Sequence, residues 1–202
     1  MSTRILVIHG SNYGHTARIA DRIGRTLLDS SCSVTAISAK ELAENLDLDA
    51  FDGVVIAASV IKGRHQKTIE RFVSRNRLAL NVLPGAFYSV SGAAASPIPE
   101  EAALADTYVS EFLAKTHWKP IRTFTLAGEI AYTRYDPITR FILRRICRKG
   151  GLSTDTSRDH DYTNWARVVS SAKAFAALVG QIQEADAVRV MNLEPAMAHA
   201  LV

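Results

Sequence analysis

The chain has 202 residues, 48% hydrophobic and 22% charged, a balance that suits one folded domain and excludes both disorder and a disulfide-stapled mini-protein. Lysine plus arginine (24) exceeds aspartate plus glutamate (20), a net charge of +4; Arg134 to Lys149 holds six basic residues against Asp136, so the excess sits in one short segment, unlike a nucleic-acid binder with charge spread over a face. No apolar run nears the roughly 20 residues of a membrane span, the run Ile5 to Ile8 is too short for a signal peptide, and Cys32 and Cys147 give no disulfide framework or metal pattern, so a reducing, intracellular setting is expected.

Arg4 to Ile8 is a branched apolar run and predicts a buried strand. Thr16 to Asp29 follows as a helix, with Ile19, Ala20, Ile23, Leu27 and Leu28 near helical spacing. Further strands are predicted over Ser33 to Ser38, Gly53 to Ala58 and Ala86 to Val90, with a helix from about Gln66 to Leu80 between the last two. Pro99-Glu100-Glu101 has the composition of a helix start. Arg122 to Ala127 is the fifth predicted strand, and Thr163 to Val179 the final helix, with Thr163 as its cap. Residues 184–202 have weak periodicity and are expected to form a loose tail beyond a domain of residues 1–183.

Five strands alternating with helices predict an α/β fold with a doubly wound, five-stranded parallel sheet. Ligands of such sheets gather beyond the carboxyl ends of the strands. Three loops are therefore candidates: Gly10 to Thr16, Ser59 to His65 and Ser89 to Ser96. The long stretch between the fifth strand and the final helix, about residues 129–162, breaks the alternation and is an insert; loops that long are usually functional or disordered.

The first loop, Ser11-Asn12-Tyr13-Gly14-His15-Thr16, combines hydroxyls, a glycine and helix-start amides, which together favour an anion. Its spacing is neither the Walker pattern nor GxGxxG. It resembles the FMN-phosphate loop of flavodoxins, T/S-x-T-G-x-T, which Ser11, Gly14 and Thr16 match and from which Tyr13 departs. Three further stretches look like the menaquinone-dependent protoporphyrinogen IX dehydrogenases: Ala58 to His65, Ala86 to Val90, and Gly150 to Thr156 with Tyr162-Thr163-Asn164-Trp165. The resemblance spans about residues 4–180. It implies a flavodoxin-like fold with a long insert after the fifth strand, FMN as cofactor, and oxidation of protoporphyrinogen IX in heme biosynthesis, with a membrane quinone, menaquinone or ubiquinone, as acceptor. The chain is then expected to be cytoplasmic and peripherally associated with the inner membrane.

On this reading Ser11, Asn12, Tyr13, Gly14, His15 and Thr16 hold the phosphate. Ser59, Val60, Ile61, Lys62 and Gly63, with Ser89, Val90, Ser91, Gly92 and Ala93, hold the ring, largely through backbone. Neither ring loop has an aromatic residue, so one ring face is expected to be open to a planar substrate, with Tyr132 and Tyr135 as the nearest wall. Lys62 and Arg64 place cations near the flavin, which suits a two-electron dehydrogenase. Pro137 to Lys149 predicts a helix with an arc of Ile138, Ile142, Leu143 and Ile146, and with Arg140, Arg144 and Arg148 at i, i+4, i+8. Those like charges repel unless an anion lies against them, either substrate propionates or anionic lipid. No Ser-His-Asp or paired-carboxylate arrangement and no metal ligand set stands out, and His9, Trp118, Trp165 and Cys147 are expected to be structural. A flavodoxin-like carrier, an NAD(P)H:quinone reductase and a flavin-free module for lipid or nucleic acid are the competing readings, and a homo-oligomer is left open.

Overall fold

Successive residues of a strand face opposite sides of a sheet, so an unbroken apolar run needs cover on both. In the computed structural model, which describes residues 2–43 and 46–199, β1 (Arg4–Gly10) meets that demand. Ile5 and Val7 belong to one apolar layer, with Ile19, Ile23 and Leu27 of α1 (His15–Asp29) and Val168, Phe175 and Val179 of α7 (Trp165–His199). Leu6 and Ile8 belong to the other, under α2 (Lys67–Arg75), α3 (Arg77–Val82) and α5 (Leu104–Thr116). Within that layer Trp118 is 1% exposed and donates its indole N–H to the Leu80 carbonyl at 3.1 Å.

Five parallel strands run in the order β2-β1-β3-β5-β6, where β2 is Ser33–Ser38, β3 Gly53–Ile61, β5 Gly85–Ser91 and β6 Arg122–Ala127. Connections leave β1 and β3 toward opposite edges, and the crevice above that divergence is where such sheets take ligands. The flavodoxin-like expectation holds in strand number, order and direction.

Four local expectations are corrected. The loop predicted over Ser59 to His65 is a hairpin: β3 continues to Ile61, and β4 (Arg64–His65) pairs back antiparallel. Its two-residue turn has Lys62 at φ 52° and Gly63 at φ 76°, the mirror-image conformation that matches strand twist. The helix expected over Gln66 to Leu80 is broken at Asn76, whose side-chain amide donates to the Phe72 carbonyl at 2.9 Å. The final helix is capped by Asn164, not Thr163, with Asn164 Oδ1 accepting from the Arg167 N–H at 2.9 Å. That helix continues to His199 where a loose tail was expected over 184–202; strong helix formers such as Gln181, Glu184 and Ala185 carry it without an apolar stripe. Residues 200–202 lie outside the described residues.

The glutamates after Pro99 do open a helix, α4 (Pro99–Ala102), just before α5. The insert follows β6. Its stem is an antiparallel pair, β7 (Glu129–Ile130) with β8 (His160–Asp161), and its body is α6 (Pro137–Lys149), with the bounds expected. Asp136, the acid within the basic segment, caps α6 by accepting from the Ile138 and Thr139 N–H groups at 3.1 and 3.0 Å. Ile130, Tyr132 and Cys147 form a small separate core with Tyr135, Leu143, Leu152 and Tyr162 packed around it.

Candidate functional site

The site begins where β1 hands over to α1. Gly14 precedes the helix at φ 89°, a left-handed conformation that strains any other L residue. No side chain caps this helix, and its first turn has no acid. Its first-turn amides therefore have no partner within the helix and face the crevice as an anion cradle. Ser11 Oγ accepts from the Gly14 N–H at 2.9 Å, which folds the loop back on itself. Asn12 Oδ1 accepts from the side-chain amide of Gln66, a residue not anticipated, which lies across the start of the loop. A Cβ on Gly10 would stand 1.7 Å from Gln66 Oε1 and 2.8 Å from Ile69 Cγ1, so glycine there leaves the space that the Gln66 amide occupies. Buried and without a hydrogen-bond partner among the described residues are Ser59 Oγ and Gln66 Oε1 at the same rim, with His9 Nδ1 and His15 Nδ1. Unsatisfied polar atoms of this kind, beside an uncapped helix, fit a phosphate-bearing polar cofactor.

The ring-side residues separate into two groups. Val60, Ile61, Lys62, Gly63 and Arg64 form the hairpin, with Lys62 and Arg64 exposed at its tip. Ser91, Gly92 and Ala93 make the turn after β5, where Ser91 Oγ accepts from the Ala94 N–H at 3.3 Å and nothing lies within 4 Å of a Cβ built on Gly92. Ser89 and Val90 point into the body of the sheet. Ser89 pairs with His65 Nε2 at 3.0 Å, and Val90 lies in the core layer beside Gly128. His65 lies beside the stacked pair Phe87 and Phe112, with ring centroids 5.2 and 4.9 Å away. Burial depresses its pKa to about 4, against a weaker pull from Glu70.

Two residues expected to serve the ligand, Tyr132 as a wall and Arg140 as a docking charge, do other work. Tyr132 is fully enclosed in the insert core and donates its hydroxyl to the Ser153 carbonyl at 2.9 Å, so it presents no face to a ligand. Arg140 donates to the carbonyls of Tyr132 and Tyr135 at 2.9 and 3.1 Å, which ties it to the insert rather than to an external anion. Arg144 and Arg148 are exposed as expected, joined by Arg145 and Lys149. Leu143 turns inward with Cys147, while Ile138, Phe141, Ile142 and Ile146 face outward at 73, 69, 51 and 54% exposure.

The insert also reaches the phosphate loop, a contact that sequence reasoning missed. Tyr135 meets the Tyr13 ring edge-on at 4.8 Å between centroids. Arg134 donates to the Tyr13 carbonyl, and its guanidinium is held from behind by Glu129 and Asp159. His15 is buried, with Nε2 at 2.6 Å from Thr163 Oγ1 and the carboxylates of Asp161 and Glu129 at 3.6 and 3.8 Å. Burial, helped by the nearby Arg18 and Arg134 charges, lowers its pKa against the upward pull of those carboxylates. At the other end Ser96 Oγ donates toward the Glu101 carboxylate at 3.0 Å and the Gly150 carbonyl at 3.4 Å, so the insert spans from the first loop to the segment after β5. A cavity of about 550 Å³ beside Phe51, Leu78, Val82 and Ile182 opens near the amino ends of the strands, remote from all these residues.

A family model described as a flavodoxin domain matches residues 6–157. The protoporphyrinogen IX dehydrogenase [quinone] of Escherichia coli strain K12 is 29% identical over 175 residues, covering 87% of this chain and 96% of that protein. The Leishmania major protein of the same name is 29% identical over 180 residues, 88% of this chain and 76% of its own length. Among solved structures, a Streptococcus pneumonia flavodoxin superposes with TM-score 0.53 at 11% identity, over 89% of this chain and 99% of that one. The flavodiiron core of Flv1 from Synechocystis gives 0.55 at 14%, over 90% of this chain and 37% of that one, and both likenesses bear on the fold alone. The chain therefore belongs to the flavodoxin domain family, whose cofactor, FMN, the uncapped first helix and its left-handed glycine are shaped to hold.

Proposed function

We propose that the chain is an FMN-dependent oxidoreductase that converts protoporphyrinogen IX to protoporphyrin IX and delivers the electrons to a quinone from the surface of an anionic membrane. Relatives from two distant sources carry that activity in their names, which supports both substrate and acceptor. On this reading the amides of the α1 start hold the phosphate with Ser11, Asn12 and Thr16, and the Lys62–Gly63 hairpin and Ser91–Ala93 flank the ring. FMN supplies the two-electron chemistry when bound; in each turnover the porphyrinogen loses two electrons and two protons and a quinone becomes a quinol, and three turnovers complete the porphyrin.

The observation that carries the membrane side of the reading is the outer face of α6. Ile138, Phe141, Ile142 and Ile146 are exposed on one stripe, with Arg145 and Lys149 among them and Arg144 and Arg148 on one flank. No described helix is long and apolar enough to cross a bilayer, but a 13-residue helix of this pattern, about 20 Å long, suits the headgroup boundary. Its basic residues snorkel to lipid phosphates, at roughly 1 kcal/mol each. Because the same insert touches the phosphate loop, docking it would bring the crevice to the depth where a membrane quinone resides.

The test is anaerobic mixing of FMN-loaded protein with protoporphyrinogen IX, followed by anionic vesicles carrying menaquinone. Flavin bleaching with a rise in porphyrin fluorescence, then recovery of flavin colour on adding vesicles, is expected. Replacing Phe141 and Ile142 with serine should slow reoxidation by vesicles at least tenfold and leave reoxidation by a short-chain, water-soluble quinone unchanged. A flavin that stays oxidised in the presence of the porphyrinogen would overturn the substrate and leave a carrier or an NAD(P)H-driven reductase.

A further inference from the structure

Arg134 holds one particular peptide of the phosphate loop. In a planar trans peptide the carbonyl and the following N–H point in opposite directions. The Tyr13 carbonyl is taken by Arg134, and the Gly14 N–H on the other side of that peptide is taken by Ser11 Oγ at 2.9 Å. Both ends of the peptide are therefore pinned, one by a loop neighbour and one by a residue 121 positions later. Gly14 has no Cβ, so without the outer pin only the Ser11 bond resists a flip that would turn the Tyr13 carbonyl toward the anion cradle. The guanidinium is itself fixed, by Asp159 at 3.0 Å and by Glu129. It also stands between those carboxylates and Gly14, with Nη1 3.8 Å from where a Cβ on Gly14 would lie. Tyr135, the next residue, presses its ring against Tyr13.

We infer that Arg134 is a positioning residue for the cofactor phosphate, and that it makes capture of that phosphate and closure of the insert a single coupled event. The inference rests on the FMN reading above and adds a reciprocal consequence. If the insert stabilises the phosphate-binding form of the loop, bound phosphate must stabilise the docked insert to the same degree. Riboflavin, which has the ring and ribityl chain but no phosphate, should not do so.

The experiment compares FMN and riboflavin on wild type, Arg134→Gln and Asp159→Asn. Affinities come from quenching of flavin fluorescence, and insert closure from the rate of tryptic cleavage at Arg144, Arg145 and Arg148. Wild type should prefer FMN strongly, and FMN alone should slow cleavage in α6. Arg134→Gln should weaken FMN at least tenfold, change riboflavin less than twofold, and abolish the FMN-dependent protection. Asp159→Asn, which loosens the guanidinium without touching the loop, should move the FMN-to-riboflavin ratio the same way by a smaller factor. A purely structural arginine would lower both affinities together and leave the ratio unchanged, and that result overturns the inference. Wild type that binds neither flavin overturns the cofactor reading as well, a failure seen before any variant is measured.

Discussion

His65 is a buried histidine that should make the stability of this fold fall as the solution turns mildly acidic. The residue is 7% exposed, with Ser89 on one nitrogen and the stacked Phe87 and Phe112 rings beside it, and burial holds its pKa at about 4 against an ordinary value of 6.5. The unfolded chain therefore binds the proton first as pH falls, and stability is lost between pH 6.5 and pH 4, levelling off below. With those two pKa values the loss from pH 8 to pH 5 is about 2 kcal/mol, approaching about 3 kcal/mol at the limit. Urea unfolding at pH 8 and pH 5, with wild type and His65→Gln, measures it. Glutamine retains a polar partner for Ser89 but cannot titrate, so the variant, though weaker at pH 8 for want of ring packing, should lose about 2 kcal/mol less on acidification. His9 and His15, also depressed by burial, are present in both proteins and cancel. Equal losses in the two proteins would refute the reasoning.

Gly85→Ala would set a methyl 2.7 Å from Trp118 Cζ2, and the indole is anchored through its N–H, so overpacking of about 1–3 kcal/mol is expected. Differential scanning calorimetry should show Tm lower by roughly 3–10 °C; an unchanged Tm would mean that the indole yields freely. Lys62→Asn keeps a residue tolerant of positive φ in the hairpin turn while removing its charge. If the ammonium stands ~6 Å from the flavin at an effective dielectric of ~20, its loss lowers the two-electron potential of the FMN-loaded protein by about 60 mV. Dye-equilibrated reduction reads this directly, and an unmoved potential would place that charge in bulk solvent.

The elements most legible in the sequence were those specified by local chemistry. Ser33–Ser38 and Arg122–Ala127 are strand-length apolar patterns between polar turns, and Pro137 at the first helical position announces α6. The turn at Lys62 escaped because a lysine with positive φ leaves no compositional trace; only the return pairing of Arg64–His65 on β3 makes it necessary. Periodicity placed isoleucines on an arc of α6 but could not say which arc is covered. That is decided by the pocket that Ile130 and Tyr132 offer to Leu143 and Cys147. Arg140 was grouped with Arg144 and Arg148 by spacing alone, yet two backbone carbonyls made by the preceding turn claim its guanidinium. The first loop was recognisable from its glycine and hydroxyls. Its ties to Arg134 and Thr163 join positions more than a hundred residues apart, and nothing short of the folded chain brings them together.

The insert leaves and rejoins the body at nearly one point, since the Tyr162 N–H bonds to the Gly128 carbonyl at 3.2 Å. A segment with adjoining ends and a core of its own is removable in principle: the β5–β6 ladder does not depend on what lies between those two residues. Lengthening such a loop costs only about 0.6 kcal/mol of closure entropy for each doubling. A flavodoxin-like body can therefore carry an appendage of this size at small cost in closure entropy, even though the appendage reaches back to the first loop through Arg134.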